Sequence, residues 1–182
     1  MKKLLISLVI ILIAGNSYAQ GHFDNGDNVL GVGIGFGSTL AGSYTYGSQT
    51  PGLSIFYEHG MWDLDGPGVV SLGGYLGYKG YSYNYLGYRA KWNYTVIGLR
   101  SAYHYNGLET TDWDVYGGAM LSFRVTSYSD NDPFPDGSYS SGLNLSLYIG
   151  GRYYFTDKVA AYAELGYGIS YFTLGAAFML GN

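Results

Sequence analysis

Alternation of apolar and polar side chains is the feature that most constrains what this chain can fold into. In "LNLSLYIGGRYYF", residues 143–155, every second side chain from Leu143 to Ile149 is aliphatic, and Arg152 lies in the opposite register. A period of two residues is the signature of a β-strand with two different faces. After residue 20 no apolar run approaches the roughly 20 residues that a membrane-spanning helix needs. Any membrane crossing must therefore be made by strands.

The same alternation recurs along the chain and predicts eight strands. They cover residues 29–38, 52–59, 69–79, 92–105, 113–126, 143–155, 159–168 and 171–180. All four prolines fall between these segments, where they cannot interrupt a hydrogen-bonded ladder. Connectors that are alternately long and short predict an all-β fold: an eight-stranded antiparallel up-and-down barrel, with both chain termini at the end that carries the short turns.

Alternation alone leaves open which face points inward. In a soluble barrel, such as a lipocalin-like one, the apolar set would fill the core. Charged residues make up only 12% of this chain, however, and the polar set consists of Gly, Tyr, Ser and single charges. That composition favours the inverted arrangement of a transmembrane β-barrel, in which the apolar set faces lipid. The predicted lipid-facing residues are Leu121, Phe123, Leu145, Leu147, Ile149, Phe172, Leu174 and Phe178.

The opposite face carries charges of both signs. A cation at mid-depth on the lipid face would cost about 2–4 kcal/mol, and a buried charge is tolerated only when it is paired. The interior of an eight-stranded barrel is just wide enough for side chains to fill it. We therefore predict a closed, ion-paired lumen in which Arg100, Arg124 and Arg152 contact Glu58 and Glu164. The full predicted network is Glu58, Lys79, Arg100, Asp114, Arg124, Arg152 and Glu164.

The first 19 residues differ in character from the rest. Lys2 and Lys3 precede an apolar stretch and a small-residue ending at Ala19, the layout of a cleavable signal peptide. The predicted domains are thus residues 1–19, a signal peptide, and residues 20–182, the barrel. Removing the leader lowers Lys plus Arg from 9 to 7 against 13 acids, a formal charge of −6. An acidic chain with scattered cations is not expected to bind nucleic acid. The absence of cysteine excludes disulfides and thiol chemistry.

The signal peptide, the eight amphipathic strands and the last strand "YFTLGAAFML" resemble the small bacterial outer-membrane barrels of the OmpX and OmpA N-terminal-domain type. The resemblance covers residues 20–182 and implies location in the bacterial outer membrane, among its lipids. It also implies recognition by the barrel-insertion machinery, which in that family reads a C-terminal aromatic residue. Here Phe178 is followed by four more residues. The periplasmic peptidoglycan-binding domain of OmpA-type proteins is missing.

Some barrels of this size are enzymes that modify lipid A, so catalysis was weighed. His59 and His104 fall near predicted short turns, away from the outer leaflet, and no serine lies at a suggestive spacing. A deacylase needs its nucleophile, base and orienting acid within hydrogen-bond reach of one another. We therefore expect no enzymatic activity and no cofactor. The alternatives left open are a lipid-A-modifying enzyme and a small-solute channel.

The loop at residues 126–142 contains three acidic residues, Asp130, Asp132 and Asp136, which are a weak candidate for a calcium site through oxygen ligands. The long connectors are rich in Tyr, Ser, Gly and Asn, a composition that suits adaptable protein contacts. The expected role is structural or interactive, through extracellular loops. The expected partners are outer-membrane or surface proteins, with the barrel alone or as a subunit of a larger outer-membrane assembly.

Overall fold

The computed structural model describes residues 23–37, 47–64, 67–85, 88–108, 110, 112–130 and 141–181. The predicted signal peptide lies outside the described residues. The strands of the described chain are Asn28–Phe36 (β1), Gly47–Gln49 (β2), Gly52–Asp63 (β3), Gly68–Tyr85 (β4), Tyr88–Tyr105 (β5), Trp113–Asp130 (β6), Gly142–Thr156 (β7), Val159–Gly166 (β8) and Phe172–Leu180 (β9). No helix long and apolar enough to cross a bilayer occurs in these ranges.

The strands form one closed antiparallel ring. Each long strand pairs with the next along the chain, and the ring closes where β1 pairs with both β3 and β9. The closing ladder runs from Asn28 opposite Leu180 to Phe36 opposite Phe172. The short strand β2 pairs with β4 beyond the end of β3 and so extends that side of the ring. The predicted eight-stranded up-and-down barrel is therefore confirmed.

Strand β7 explains how the sequence builds two different surfaces. Its outward residues Leu143 and Leu147 are 76% and 65% exposed, whereas the inward Ser146 and Arg152 are buried. The outward series from Leu143 to Tyr153 covers about 33 Å of strand at ~3.3 Å per residue. At the usual barrel tilt of roughly 40°, this corresponds to about 25 Å of height. That height matches the apolar band of transmembrane barrels.

The hairpin of β4 and β5 is longer than predicted. Residues 80–91 were expected to form a loop, but β4 continues to Tyr85 and β5 starts at Tyr88, with Tyr81 opposite Trp92. Alternation of Tyr with smaller polar residues persists through this stretch, and Tyr favours strands. Strand β6 likewise runs on to Asp130. These three strands rise roughly 20 Å above Ile97, the uppermost strongly exposed aliphatic residue of β5.

Candidate functional site

The outer surface of the ring is apolar. Of the residues predicted to face lipid, all but Phe172 are among the exposed large hydrophobic side chains, and Phe172 is half-buried. The exposed set is Leu121, Phe123, Leu145, Leu147, Ile149, Leu174 and Phe178. Aromatic residues lie near the strand ends, with Trp62, Tyr103 and Trp113 exposed at the end that carries the short turns. Tyr78 and Tyr171 are exposed toward the other end.

Glu58 of β3 is the centre of the charge network inside the barrel. Its carboxylate is fully buried and contacts two guanidinium groups. Oε2 accepts a hydrogen bond from Arg152, and Oε1 lies 2.7 Å from Nε of Arg100 as an ion pair. The N–H of that Nε points instead to the hydroxyl of Tyr148, at 3.1 Å, so Oε1 is held by charge without a hydrogen bond.

Arg100 connects Glu58 to Glu164 on the far side of the lumen. Its Nη2 donates to Oε1 of Glu164 at 2.6 Å, and the hydroxyl of Tyr116 donates to the same oxygen at 2.8 Å. The guanidinium carbon lies 4.3 Å from the ring centroids of both Phe56 and Tyr148. Arg100 is therefore paired with carboxylates at its edge and stacked between rings on its faces, as Arg in a dry site requires.

A second branch of the network runs toward the short-turn end. Arg152 donates to Oδ2 of Asp114 at 3.0 Å, and Oδ1 of Asp114 lies 2.8 Å from Nδ1 of His104. Nε2 of His104 lies 3.1 Å from Oγ of Ser71. Ser71, His104 and Asp114 thus have the distances of a Ser-His-Asp catalytic triad. The expectation that no serine would lie near a histidine was wrong, because the β4–β5 register places Ser71 opposite Ala102, two residues from His104.

Phe23 closes the lumen at the short-turn end. This residue precedes β1, is fully buried, and stacks on His104 with ring centroids 4.1 Å apart. Its segment is tied to the rim by a hydrogen bond from Asn106 to the carbonyl of Phe23 and by reciprocal backbone bonds of Gly26 and Asp27 with Gly60. Nothing in the periodic pattern signalled this role, since Phe23 stands outside every alternating segment.

The connection between β8 and β9 closes the other end. Ile169 and Ser170 are almost fully buried, and added side-chain atoms at Gly35 or Gly52 would collide with them. Beneath these two residues lies a cavity of about 30 Å³, whose lining includes Arg100, Tyr148 and Glu164. That volume is of the order of a single water molecule, so the lumen holds no continuous channel along the described chain.

Inward-facing glycines make room for the large side chains of the lumen. A Cβ atom built on Gly150 would lie 2.7 Å from the ring of Tyr116, which itself holds Glu164. A Cβ on Gly33 would approach Thr173 to 2.7 Å and would overlap the hydroxyl of Tyr162. Alternate glycines therefore give the interior the width that the aromatic and guanidinium groups occupy.

Two predicted members of the network lie apart from it. The sequence analysis placed Arg124 against Glu58 and Glu164, and this was wrong. Arg124 lies four residues beyond Met120, the register partner of Arg100, or about 13 Å farther along the barrel. Its guanidinium carbon lies 5.8 Å from the ring of Tyr94. Lys79 is fully buried and donates to the backbone carbonyl of Gly37. Among the described residues neither cation forms a salt bridge with a carboxylate.

The acidic loop cannot be assembled into a site. Asp130 ends β6 opposite Ala90, while its side chain lies outside the described residues, as do Asp132 and Asp136 entirely. In the part of the chain that the structure describes, no cluster of three or more His, Asp or Glu has metal-binding geometry.

Comparisons with known proteins give structural likenesses only. No family model matches the sequence, and no curated protein does. A de novo designed transmembrane β-barrel matches with 13% identity and a TM-score of 0.48, over 87% of this chain and 98% of that one. The outer-membrane protein Ail of Yersinia pestis in a phospholipid nanodisc matches with 12% identity and a TM-score of 0.48, over 86% and 100%. Ail in complex with the heparin analogue sucrose octasulfate matches with 11% identity and a TM-score of 0.45, over 85% and 96%.

The class of protein follows from the ring itself. A closed barrel leaves no unpaired sheet edge, and its outward side chains are apolar while its charges are paired inside. This is the arrangement of a transmembrane β-barrel of the outer-membrane type, with an even number of antiparallel strands. A soluble barrel would have the opposite distribution. The protein is accordingly an eight-stranded barrel of the bacterial outer membrane.

Proposed function

We propose that the protein is a non-conducting outer-membrane barrel that serves as a rigid support for an extracellular surface. The observation that carries this proposal is the filled lumen. Glu58, Arg100 and Arg152 cross the barrel from three different strands, and Phe23 and Ile169 occupy its two ends. A solute would have to break several buried ion pairs to pass, and each broken pair leaves an uncompensated charge in a dry interior.

The orientation follows from the connections. Outer-membrane barrels have short periplasmic turns and longer extracellular loops. The turn between β7 and β8 has only two residues, and both chain termini lie at that end, which is therefore periplasmic. The projecting ends of β4, β5 and β6 then stand outside the cell. Their Tyr-rich, Ser-rich and Asn-rich composition suits adaptable contacts with a surface protein or with another outer-membrane subunit.

The triad-like group is better explained as part of the lumen filling than as a catalyst. Ser71, His104 and Asp114 are each 0–1% exposed, and Phe23 covers the imidazole. A nucleophile must reach its substrate, and the cavity above Arg100 is not lined by Ser71. We assign the three residues to a hydrogen-bonded chain that satisfies buried polar groups.

Conductance tests the sealed lumen. Folded protein, verified by heat-modifiable migration on a gel, is added to a planar lipid bilayer, with a porin as the positive control. We expect no discrete current steps from the wild type or from the double variant Phe23→Ala/Ile169→Ala, because the ion-paired layer between the two ends still blocks the lumen. Reproducible, discrete steps from the wild type would refute the proposal.

Photo-crosslinking tests the surface role. A benzophenone amino acid is placed in intact cells at Lys91, an exposed outward position on the projecting part of β5, or at Leu147 within the apolar band. We expect protein adducts from position 91 and none from position 147, which contacts lipid. Identical patterns at both positions would argue against a surface contact.

A further inference from the structure

Two cations in the upper lumen have no acidic partner in the described chain. Lys79 is 1% exposed, and its ammonium group donates to the carbonyl of Gly37 and lies 5.6 Å from the ring of Tyr81. Arg124 lies 5.8 Å from the ring of Tyr94, and its Nε is buried without a hydrogen-bond partner. Tyr81 and Tyr94 pack edge to face, with centroids 5.5 Å apart, so the two cations line one aromatic wall.

The acids of the lumen cannot neutralise these cations. Glu58, Glu164 and Asp114 are already bound to Arg100 and Arg152. Asp114 lies ten residues below Arg124 on the same strand, about 33 Å away along it. Two cations of like sign in a largely buried place are unfavourable unless an anion joins them.

Space for an anion exists beside Arg124. Its register partner on β7 is Gly142, and a Cβ atom added there would meet nothing within 4 Å. Arg124 is half-buried, so its guanidinium is reachable from the extracellular mouth. A guanidinium with a free N–H and an ammonium with further donors are the groups that bind oxyanions most strongly.

We propose that the upper lumen is an oxyanion site, in which Arg124 and Lys79 bind a phosphate or sulfate group. The group could be a free inorganic ion or the phosphate of an outer-leaflet lipopolysaccharide, which share this chemistry. The site goes beyond the support role proposed above, and it does not depend on whether the projecting strands contact a protein.

Trp92 provides the reporter for the test. It is the register partner of Tyr81 and packs 5.5 Å from Tyr128, within the same aromatic wall. The other two tryptophans, Trp62 and Trp113, are about half exposed near the periplasmic end. The variant Trp62→Phe/Trp113→Phe therefore leaves one fluorophore beside the proposed site and none elsewhere.

The first arm titrates this single-tryptophan protein, folded in detergent micelles, with inorganic phosphate or sulfate and with chloride at equal ionic strength. We expect a saturable fluorescence change with the oxyanions alone. Arg124→Gln should weaken binding about tenfold or more, as the loss of one charged hydrogen bond predicts. Lys79→Gln should weaken it as well. Lys91→Gln is the matched control, since it removes one cation from the outward face of the same projecting sheet and should leave the affinity unchanged.

The second arm uses nanodiscs that contain lipopolysaccharide with or without its phosphate groups. A Trp92 spectral change that depends on those phosphates and on Arg124 identifies the lipid as the source, and a response to the free ion alone identifies the soluble anion. Either result supports the site. Equal responses to phosphate and chloride, or a response that survives both Arg124→Gln and Lys79→Gln in folded protein, would overturn it.

The third arm addresses the acids of the neighbouring loop. Asp132→Asn/Asp136→Asn is titrated in the same way. A parent protein that is silent beside a variant that binds phosphate would show that the chain neutralises its own cations, and this outcome would also overturn the proposal. Equal binding by parent and variant supports it.

Discussion

Replacing Glu58 with Gln should destabilise the barrel more than any other single change to a carboxylate in the network. Glu58 is fully buried and is the only described acid that contacts both Arg100 and Arg152. Removing one partner of a buried ion pair costs about 3–5 kcal/mol. Because Arg100 keeps Glu164 and Arg152 keeps Asp114, we expect the lower end of that range, about 3 kcal/mol.

Glu164→Gln is the matched comparison. Its carboxylate is 12% exposed and contacts one guanidinium only, and Tyr116 can still donate to the amide oxygen. The loss of one charged hydrogen bond at such a site costs about 1–3 kcal/mol. The difference in the free energy of unfolding between the two variants is therefore expected to exceed about 1 kcal/mol, a value that follows from these two ranges.

The assay is reversible urea unfolding in phosphatidylcholine vesicles, followed by tryptophan fluorescence, with heat-modifiable migration as the check of folding. The double variant Glu58→Gln/Arg152→Met should cost less than the sum of its parts, with a coupling of about 0.5–3 kcal/mol for residues in one network. If Glu58→Gln lies within about 1 kcal/mol of the wild type, or if the two changes add without coupling, the central role of Glu58 would be refuted.

Three further predictions test the surfaces and the triad-like group. Gly73→Ala should cost about 1–3 kcal/mol in unfolding free energy through overpacking, because its Cβ would overlap the backbone of β3, while the adjacent Gly74→Ala, with open space around it, should be nearly neutral. Leu147→Arg should cost about 2–4 kcal/mol in vesicles, since it puts a cation at mid-depth on the lipid face; a neutral effect would contradict that placement. A fluorophosphonate probe should leave folded protein unlabelled, because Ser71 is fully buried, and labelling that disappears in Ser71→Ala would show an accessible nucleophile.

Much of the architecture could be predicted because it depends on a local property. Each strand alternates with a period of two, so the parity of Leu145 against Arg152 assigns each to a face before any partner strand is known. The misplaced loop at residues 80–91 has the same origin. Its Tyr-rich alternation is a strand signal, but Gly, Ser and Asn made it resemble a connection.

The partners inside the lumen could not be predicted in this way. Arg100 meets Glu164 across 64 residues of sequence, and Arg152 meets Glu58 across 94, each pair joining strands that are not neighbours in the ring. Their relative heights depend on the stagger of the strands around the closed barrel. That stagger placed Arg124 well above the acids that the sequence analysis assigned to it.

The sequence by itself therefore determined the class of fold and the face on which each strand residue lies, because both are set by alternation along a single strand. The tertiary structure alone decided which charges are paired, which are left without an acid, and that Ser71 approaches His104. It also decided that Phe23 and Ile169, which belong to no periodic segment, seal the two ends of the lumen. The physical reason is that closure fixes the height of every strand relative to all the others, and no single strand carries that information.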